Sequence, residues 1–143
     1  MKIYAGSDHG GFVLKQILIK KLRDSGHQVE DLGTHSSESC DYPDYAHAVA
    51  RKVISDQGSK GLLICGSGIG ISIAANRHAG IRAALCRNGF EAELAIKHNN
   101  ANVLVLGERI TGEALAIDIL EKFLAAEFEG GRHLKRVEKI EIC

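Results

Sequence analysis

The sequence predicts an α/β protein: a five-stranded parallel sheet covered on both faces by helices. Three observations carry this reading. Five short apolar runs alternate with longer stretches of helical period, the pattern of successive strand–helix–strand units. The run at Leu62–Ile64 reads as a buried strand, as expected where helices cover both faces of a parallel sheet. The third run stops at a glycine-rich turn, CGSGIG (65–70), that feeds straight into another helical stretch.

Lys2 to Gly6 (KIYAG) is the first strand, and Ser7 to Gly11 a turn. Phe12 to Ser25 carries Phe12, Leu14, Ile17, Leu18 and Leu22 at helical spacing, with Lys15, Lys20, Lys21 and Arg23 elsewhere. Gly26 fits the cap that ends this helix. Gln28 to Leu32 is the second strand, and a polar loop runs from Gly33 to Asp41. Pro43 suits the first turn of a helix that continues to Gly58. Gly61 to Ile64 is the third strand, with Cys65 at its end and a helix from Ile71 onward. Gly80 to Cys86 is the fourth strand. Asn88 to His98 is a short helix with Phe90, Leu94 and Ile96 partly buried. Asn102 to Leu106 is the fifth strand. Thr111 caps a helix that runs through Phe123, and Arg132 to Ile142 is a final charged helix. No repeat and no domain boundary interrupts residues 1–143.

Composition narrows the function. At 143 residues the chain is the size of one domain and buries roughly 68–70% of its unfolded surface. It carries 18 basic and 18 acidic residues, which lacks the basic footprint of a nucleic-acid binder. No apolar run reaches membrane-spanning length and no signal peptide opens the chain, so neither a membrane nor secretion is expected. Cys40, Cys65, Cys86 and Cys143 form no CxxC pair, which supports neither a zinc site nor a disulfide framework. A reduced, cytoplasmic setting follows. The dinucleotide fingerprint is missing: the first turn reads GSDHGG, and GSGIG lacks its third glycine at the required offset. There is no triphosphate-binding GxxxxGK[ST] either.

In open parallel sheets, ligands bind beyond the carboxyl ends of the strands. That rule collects Asp8 and His9 after strand one, Cys65 to Gly70 after strand three, and Arg109 after strand five. Glycines let the turn's N–H groups point into one concavity suited to an anion. A thiol at its lip suggests a base or nucleophile beside an oxyanion pocket. A plain strand-to-helix turn with a buried cysteine explains the same residues. Asp8 and His9 could meet sugar hydroxyls and a phosphate, or simply cap a turn. His98 and Asn99 could supply a proton donor and a ligand contact, or cap a helix end. Arg132 and Arg136, spaced i, i+4, share a helix face and suit a phosphate or a solvated basic surface.

Taken together, GSDHGG (6–11), DYPDYA (41–46), CGSGIGISIAANR (65–77), GIRAAL (80–85), HNNANVLVLGER (98–109) and EGGRHLKRV (129–137) resemble the ribose-5-phosphate isomerase B family. The resemblance covers nearly the whole chain. It implies a three-layer α/β/α Rossmann-like sandwich, no metal, no organic cofactor, and a homodimer or dimer of dimers with active sites at the subunit interface. It implies interconversion of ribose 5-phosphate and ribulose 5-phosphate through a cis-enediolate, a step of the pentose phosphate pathway. By matching positions, Cys65 is the general base and His98 opens the sugar ring. Asp8, His9, Tyr42, Gly66, Ser67, Gly68, Ile69, Gly70 and Asn99 contact substrate, with Asp8 and Ser67 also assisting the chemistry. His9, Arg109, Arg132 and Arg136 hold the phosphate, the last two reaching a neighbouring subunit on the tail helix (about 131–142). Cys65 places the chain with the cysteine branch and not with relatives that use a glutamate. The competing readings are isomerisation of a hexose phosphate such as allose 6-phosphate, and a non-catalytic phosphosugar-binding module.

Overall fold

A computed structural model describes residues 1–142. Five strands, β1 (Lys2–Ser7), β2 (Gln28–Asp31), β3 (Lys60–Cys65), β4 (Ala83–Leu85) and β5 (Val103–Gly107), form one sheet in the order β2-β1-β3-β5-β4. Every neighbouring pair is parallel. The central strands β3 and β5 are apolar and fully buried through Leu62–Ile64 and Val103–Leu106.

Six helices connect or follow them: α1 (Phe12–Asp24), α2 (Tyr42–Ser55), α3 (Ile69–Ala75), α4 (Gly89–Asn99), α5 (Glu113–Ala125) and α6 (Arg132–Glu138). Two apolar clusters separate the layers. One gathers side chains of α1, α4 and α5 with Ile3, Leu62, Ile64, Leu104 and Leu106. The other gathers α2 and α3 with Tyr4, Leu63, Val103 and Val105. Alternate residues of each strand thus serve opposite faces, as the two-residue strand period requires. This is the predicted α/β/α sandwich. Right-handed crossovers force the arrangement: reversing direction across the sheet moves the connecting helix to the other face. The chain reverses between β1 and β3, and again between β3 and β5, so the loops after these strands diverge and leave a crevice.

Local differences from expectation have physical causes. Lys15 lies inside α1's buried face with no exposed surface, because its ammonium pairs with Asp31 and donates to the Thr34 carbonyl at 2.9 Å. The fourth strand is only three residues long. Gly80 has φ 84°, and the backbone N–H groups of Arg82 and Ala83 are taken by the side chains of Asn102 and Asn76. Phe90 is 69% exposed instead of partly buried. Helix α3 begins at Ile69, two residues early. Thr111 does not cap α5: it is buried with its N–H on the Gly107 carbonyl, and Gly112 is the N-cap. The last helix ends at Glu138, after which Glu141 accepts a hydrogen bond from Gly80 N–H at 2.8 Å. Cys143 lies outside the described residues.

Candidate active site

The crevice at the carboxyl ends of β1, β3 and β5 is a cleft of about 570 Å³. It is lined by Asp8, His9, Tyr42, Cys65, Gly66, Ser67, Ile69, Gly70 and Arg109, joined by Gly10 and Ile110. The last two were not singled out in the sequence. Gly10 belongs to GSDHGG, and a Cβ there would stand 3.3 Å from both the Asp8 carboxylate and the Gly66 amide. Ile110 simply follows Arg109 and carries no chemical signal.

Cys65 ends β3 and is 4% exposed. Gly68 N–H donates to its Sγ at 3.1 Å. Gly68 sits behind the cleft at φ 79°, where a Cβ would meet Leu85 and the Leu106 carbonyl. Ser67 presents its hydroxyl at the mouth, accepting from Ile69 N–H at 3.1 Å. Asp8 caps the short turn that follows β1, accepting from Gly11 N–H at 3.2 Å, and remains 8% exposed to the cleft. It caps the turn and also lines the cleft. His9 Nδ1 accepts from the backbone N–H of Cys40 at 3.2 Å. An amide can only donate, so Nδ1 carries no proton and Nε2 is left as the donor. Arg109 lies over Gly66, its guanidinium 3.3 Å from where a Cβ would stand. Tyr42 closes over Gly70 in the same way, 2.5 Å from that glycine's ideal Cβ.

His98, Asn99, Arg132 and Arg136 are absent from this cleft. His98 and Asn99 end α4, three residues before β5, where Asn102 accepts from Gly61 N–H at the amino end of β3. Gly61 and Cys65 are four residues apart on β3, roughly 13 Å of strand, which puts His98 at the opposite end of the sheet. There α6 packs on α4, and the His98 and His133 rings stack with centroids 4.3 Å apart. Glu129 Oε1 lies 3.6 Å from His98 Nε2. Burial, followed by His98 and Arg132, holds His133 below the ordinary histidine pKa. Ligand atoms of His98, Glu129 and His133 lie within 4.8 Å of one another. The two rings are nearly parallel, at 12°, so their in-plane lone pairs run side by side and do not converge on one ion. His133 showed no partner in the sequence; its place beside Arg132 in EGGRHLKRV was the available signal.

The fold and the cleft define a doubly wound α/β protein with an open pocket at its switch point, lined by a thiol, an arginine and a glycine-rich turn. A family model described as Ribose/Galactose Isomerase matches residues 3–140. The chain belongs to that family. It is 50% identical over 139 residues to ribose-5-phosphate isomerase B of Escherichia coli, covering 97% of this chain and 93% of that one. The structure of ribose-5-phosphate isomerase B from Clostridium thermocellum superimposes with TM-score 0.96 at 53% identity, covering 98% and 95% of the two chains. That of Mycoplasma genitalium, with ribulose-5-phosphate bound, gives TM-score 0.93 at 44% identity over 97% and 93%.

Proposed function

We propose that this protein interconverts ribose 5-phosphate and ribulose 5-phosphate, with Cys65 as the base that moves the proton. The observation that carries the assignment is Cys65 Sγ at the cleft, held by the Gly68 amide. Kinship with ribose-5-phosphate isomerase B of Escherichia coli, and the ribulose-5-phosphate complex of the Mycoplasma genitalium relative, support the substrate class.

The pentose enters as a furanose, which has no free carbonyl, so the ring opens first with His98 as the acid. The Cys65 thiolate then takes the C2 proton of the open aldose. Charge develops on the carbonyl oxygen, and the Ser67 hydroxyl receives it with the amides of Gly66, Ser67 and Gly70, since those of Gly68 and Ile69 are engaged by Cys65 Sγ and Ser67 Oγ. Each such donor is worth about 2.7–4 kcal/mol of barrier. The hydroxyl proton passes from O2 to O1 of the enediolate, and the same thiol returns the carbon proton to C1, leaving the ketose. Two protons change places within the substrate and no electrons leave it, so no electron carrier takes part. Asp8, Tyr42 and Asn99 orient hydroxyls, and His9 offers its Nε2–H. Arg109 holds the phosphate from one side, and its binding energy positions the reacting carbons.

His98, Asn99, Arg132 and Arg136 reach this chemistry only from a second copy. A homodimer that sets the α4–α6 end of one chain against the cleft of the other completes both sites at once, as two-fold symmetry requires. In this assembly the tail helix α6 reaches across to the neighbour. Three cysteines are free among the described residues, and no described helix is long and apolar enough to cross a membrane. Both observations support a cytoplasmic setting.

The deciding experiment is turnover of ribose 5-phosphate by purified protein without added metal, beside allose 6-phosphate. Efficient turnover of the pentose is expected. Turnover of the hexose alone would keep the mechanism and change the substrate, and turnover of neither by a folded dimer would leave a phosphosugar-binding module.

A further inference from the structure

At the end of the sheet opposite the cleft, two half-buried cations stand together. Arg82, just before β4, and Lys60, at the start of β3, form no ion pair among the described residues. Burial pushes both side chains below their ordinary pKa values; Arg82 lowers Lys60 further, and the nearby Glu141 carboxylate partly offsets the effect of burial on Arg82. Such charges need a partner of some kind. They find it in backbone carbonyls: Arg82 Nε donates to Asn100 O at 2.9 Å, and Lys60 Nζ donates to Ala101 O at 3.0 Å. These carbonyls lie immediately past the end of α4, where the helix leaves acceptors unsatisfied and its dipole favours positive charge.

Asn100 closes α4 in the left-handed conformation, φ 47° and ψ 46°, as asparagine can at a helix end, with its own N–H on the Ile96 carbonyl and that of Ala101 on the Ala95 carbonyl. Both N–H groups of this turn are thus tied to the helix, and Arg82 and Lys60 tie its carbonyls. Asn102 completes the brace, accepting from Arg82 N–H and donating to the Gly80 carbonyl, both at 2.8 Å. The two residues just before Asn100 are His98 and Asn99. We propose that Arg82 and Lys60 are positioning residues: by clamping the Asn100 and Ala101 carbonyls they fix where His98 and Asn99 stand when a second copy's cleft receives them. The proposal rests on the ring-opening role assigned to His98 above. Arg82 and Lys60 touch no substrate; they act through the end of α4.

The test separates ring opening from proton transfer. Ribulose 5-phosphate is open-chain, because its O5 carries the phosphate. Exchange of its C1 proton with deuterated solvent therefore needs Cys65 but no ring opening, whereas turnover of ribose 5-phosphate needs both. The assembled dimer is assayed for both rates in His98→Asn and Arg82→Gln. His98→Asn is expected to lose forward turnover and keep exchange. Arg82→Gln should follow the same split, with forward kcat down roughly tenfold to a hundredfold, as for a catalytic group displaced by about an ångström, and exchange within twofold of wild type. Wild-type forward turnover in Arg82→Gln, with His98→Asn inactive, overturns the clamp alone. Equal loss of both rates in a folded Arg82→Gln dimer also overturns it. Wild-type forward turnover in His98→Asn overturns the role of His98 and the clamp with it. If Arg82→Gln melts at assay temperature, Lys60→Met keeps the aliphatic stem and takes the same measurement, with wild-type forward turnover overturning the proposal.

Discussion

Gly68 donates its backbone N–H to Cys65 Sγ at 3.1 Å, and it does so from φ 79°. The geometry binds a backbone requirement to a chemical one. An L side chain at this φ is strained, and a Cβ would stand 2.5 Å from Leu85 Cδ1 and 3.0 Å from the Leu106 carbonyl. The leucine tip can rotate away; the carbonyl cannot. Gly68→Ala should cost about 1–3 kcal/mol of stability. It should also lower kcat, because the turn must shift and take the amide off the sulfur. Chemical denaturation and steady-state kinetics read the two effects separately.

The thiols differ in what surrounds them. Cys86 is buried, and burial raises its pKa to about 12, which leaves it inert toward alkylation near neutrality. Cys65 lines the open cleft with an amide on its sulfur. Iodoacetamide should therefore inactivate the protein through Cys65, and substrate should slow that reaction. Mass spectrometry of the alkylated peptides identifies the modified thiol. Cys65→Ala should reduce turnover at least a hundredfold, the lower range for loss of a positioned proton-transfer group, while substrate still binds. Wild-type turnover in this variant would remove Cys65 as the base.

Much of this was legible in the residues. Short apolar runs alternating with helical ones point to a parallel sheet, and the rule that ligands gather at strand carboxyl ends brings Asp8, Cys65 and Arg109 to one place. Other features depend on distant partners. Lys15 has the spacing of a solvent-facing residue, and only Asp31 across the layer makes its burial affordable. The fourth strand is cut short by Asn76 and Asn102, whose side chains occupy backbone donors that a ladder would use. Strand order cannot be read from spacing. His98 ends the helix that leads into β5, which sets it at the amino end of the parallel sheet, away from Cys65, and a list of matching residues treats the two as neighbours.

The Lys15–Asp31 pair should make stability depend on acid. Burial alone would raise the Asp31 pKa, but hydrogen bonds from Lys15 and Gly33 outweigh it and leave the folded carboxyl below its ordinary value. In the unfolded chain Asp31 binds a proton near its ordinary pKa of about 4. Between that value and the depressed one the unfolded state holds more protons, so stability rises with pH. The contribution is complete above about pH 4 and fades as acid is added through the folded pKa. Asp31→Asn should flatten this part of the acid denaturation curve. It should also cost about 3 kcal/mol at neutral pH, because the buried ammonium loses its partner.

The proposed site, built from two copies, makes a prediction about mixed dimers. Cys65→Ala removes the base from the cleft of its own chain and leaves His98 intact for the neighbour. His98→Asn does the reverse. Each homodimer should be inactive. In a mixed dimer, the cleft of the His98→Asn chain retains Cys65 and receives the intact His98 of the Cys65→Ala chain, so one of the two sites is whole. The other site lacks both groups. Random assortment of equal amounts makes about half the dimers mixed, so activity should recover to about one quarter of wild type. Dissociating the two inactive proteins together in mild denaturant, refolding and assaying gives this number directly. Cross-subunit sites require recovery on mixing. If His98 acted on its own chain's Cys65, every cleft would stay defective, and no activity would appear at any ratio of the two variants.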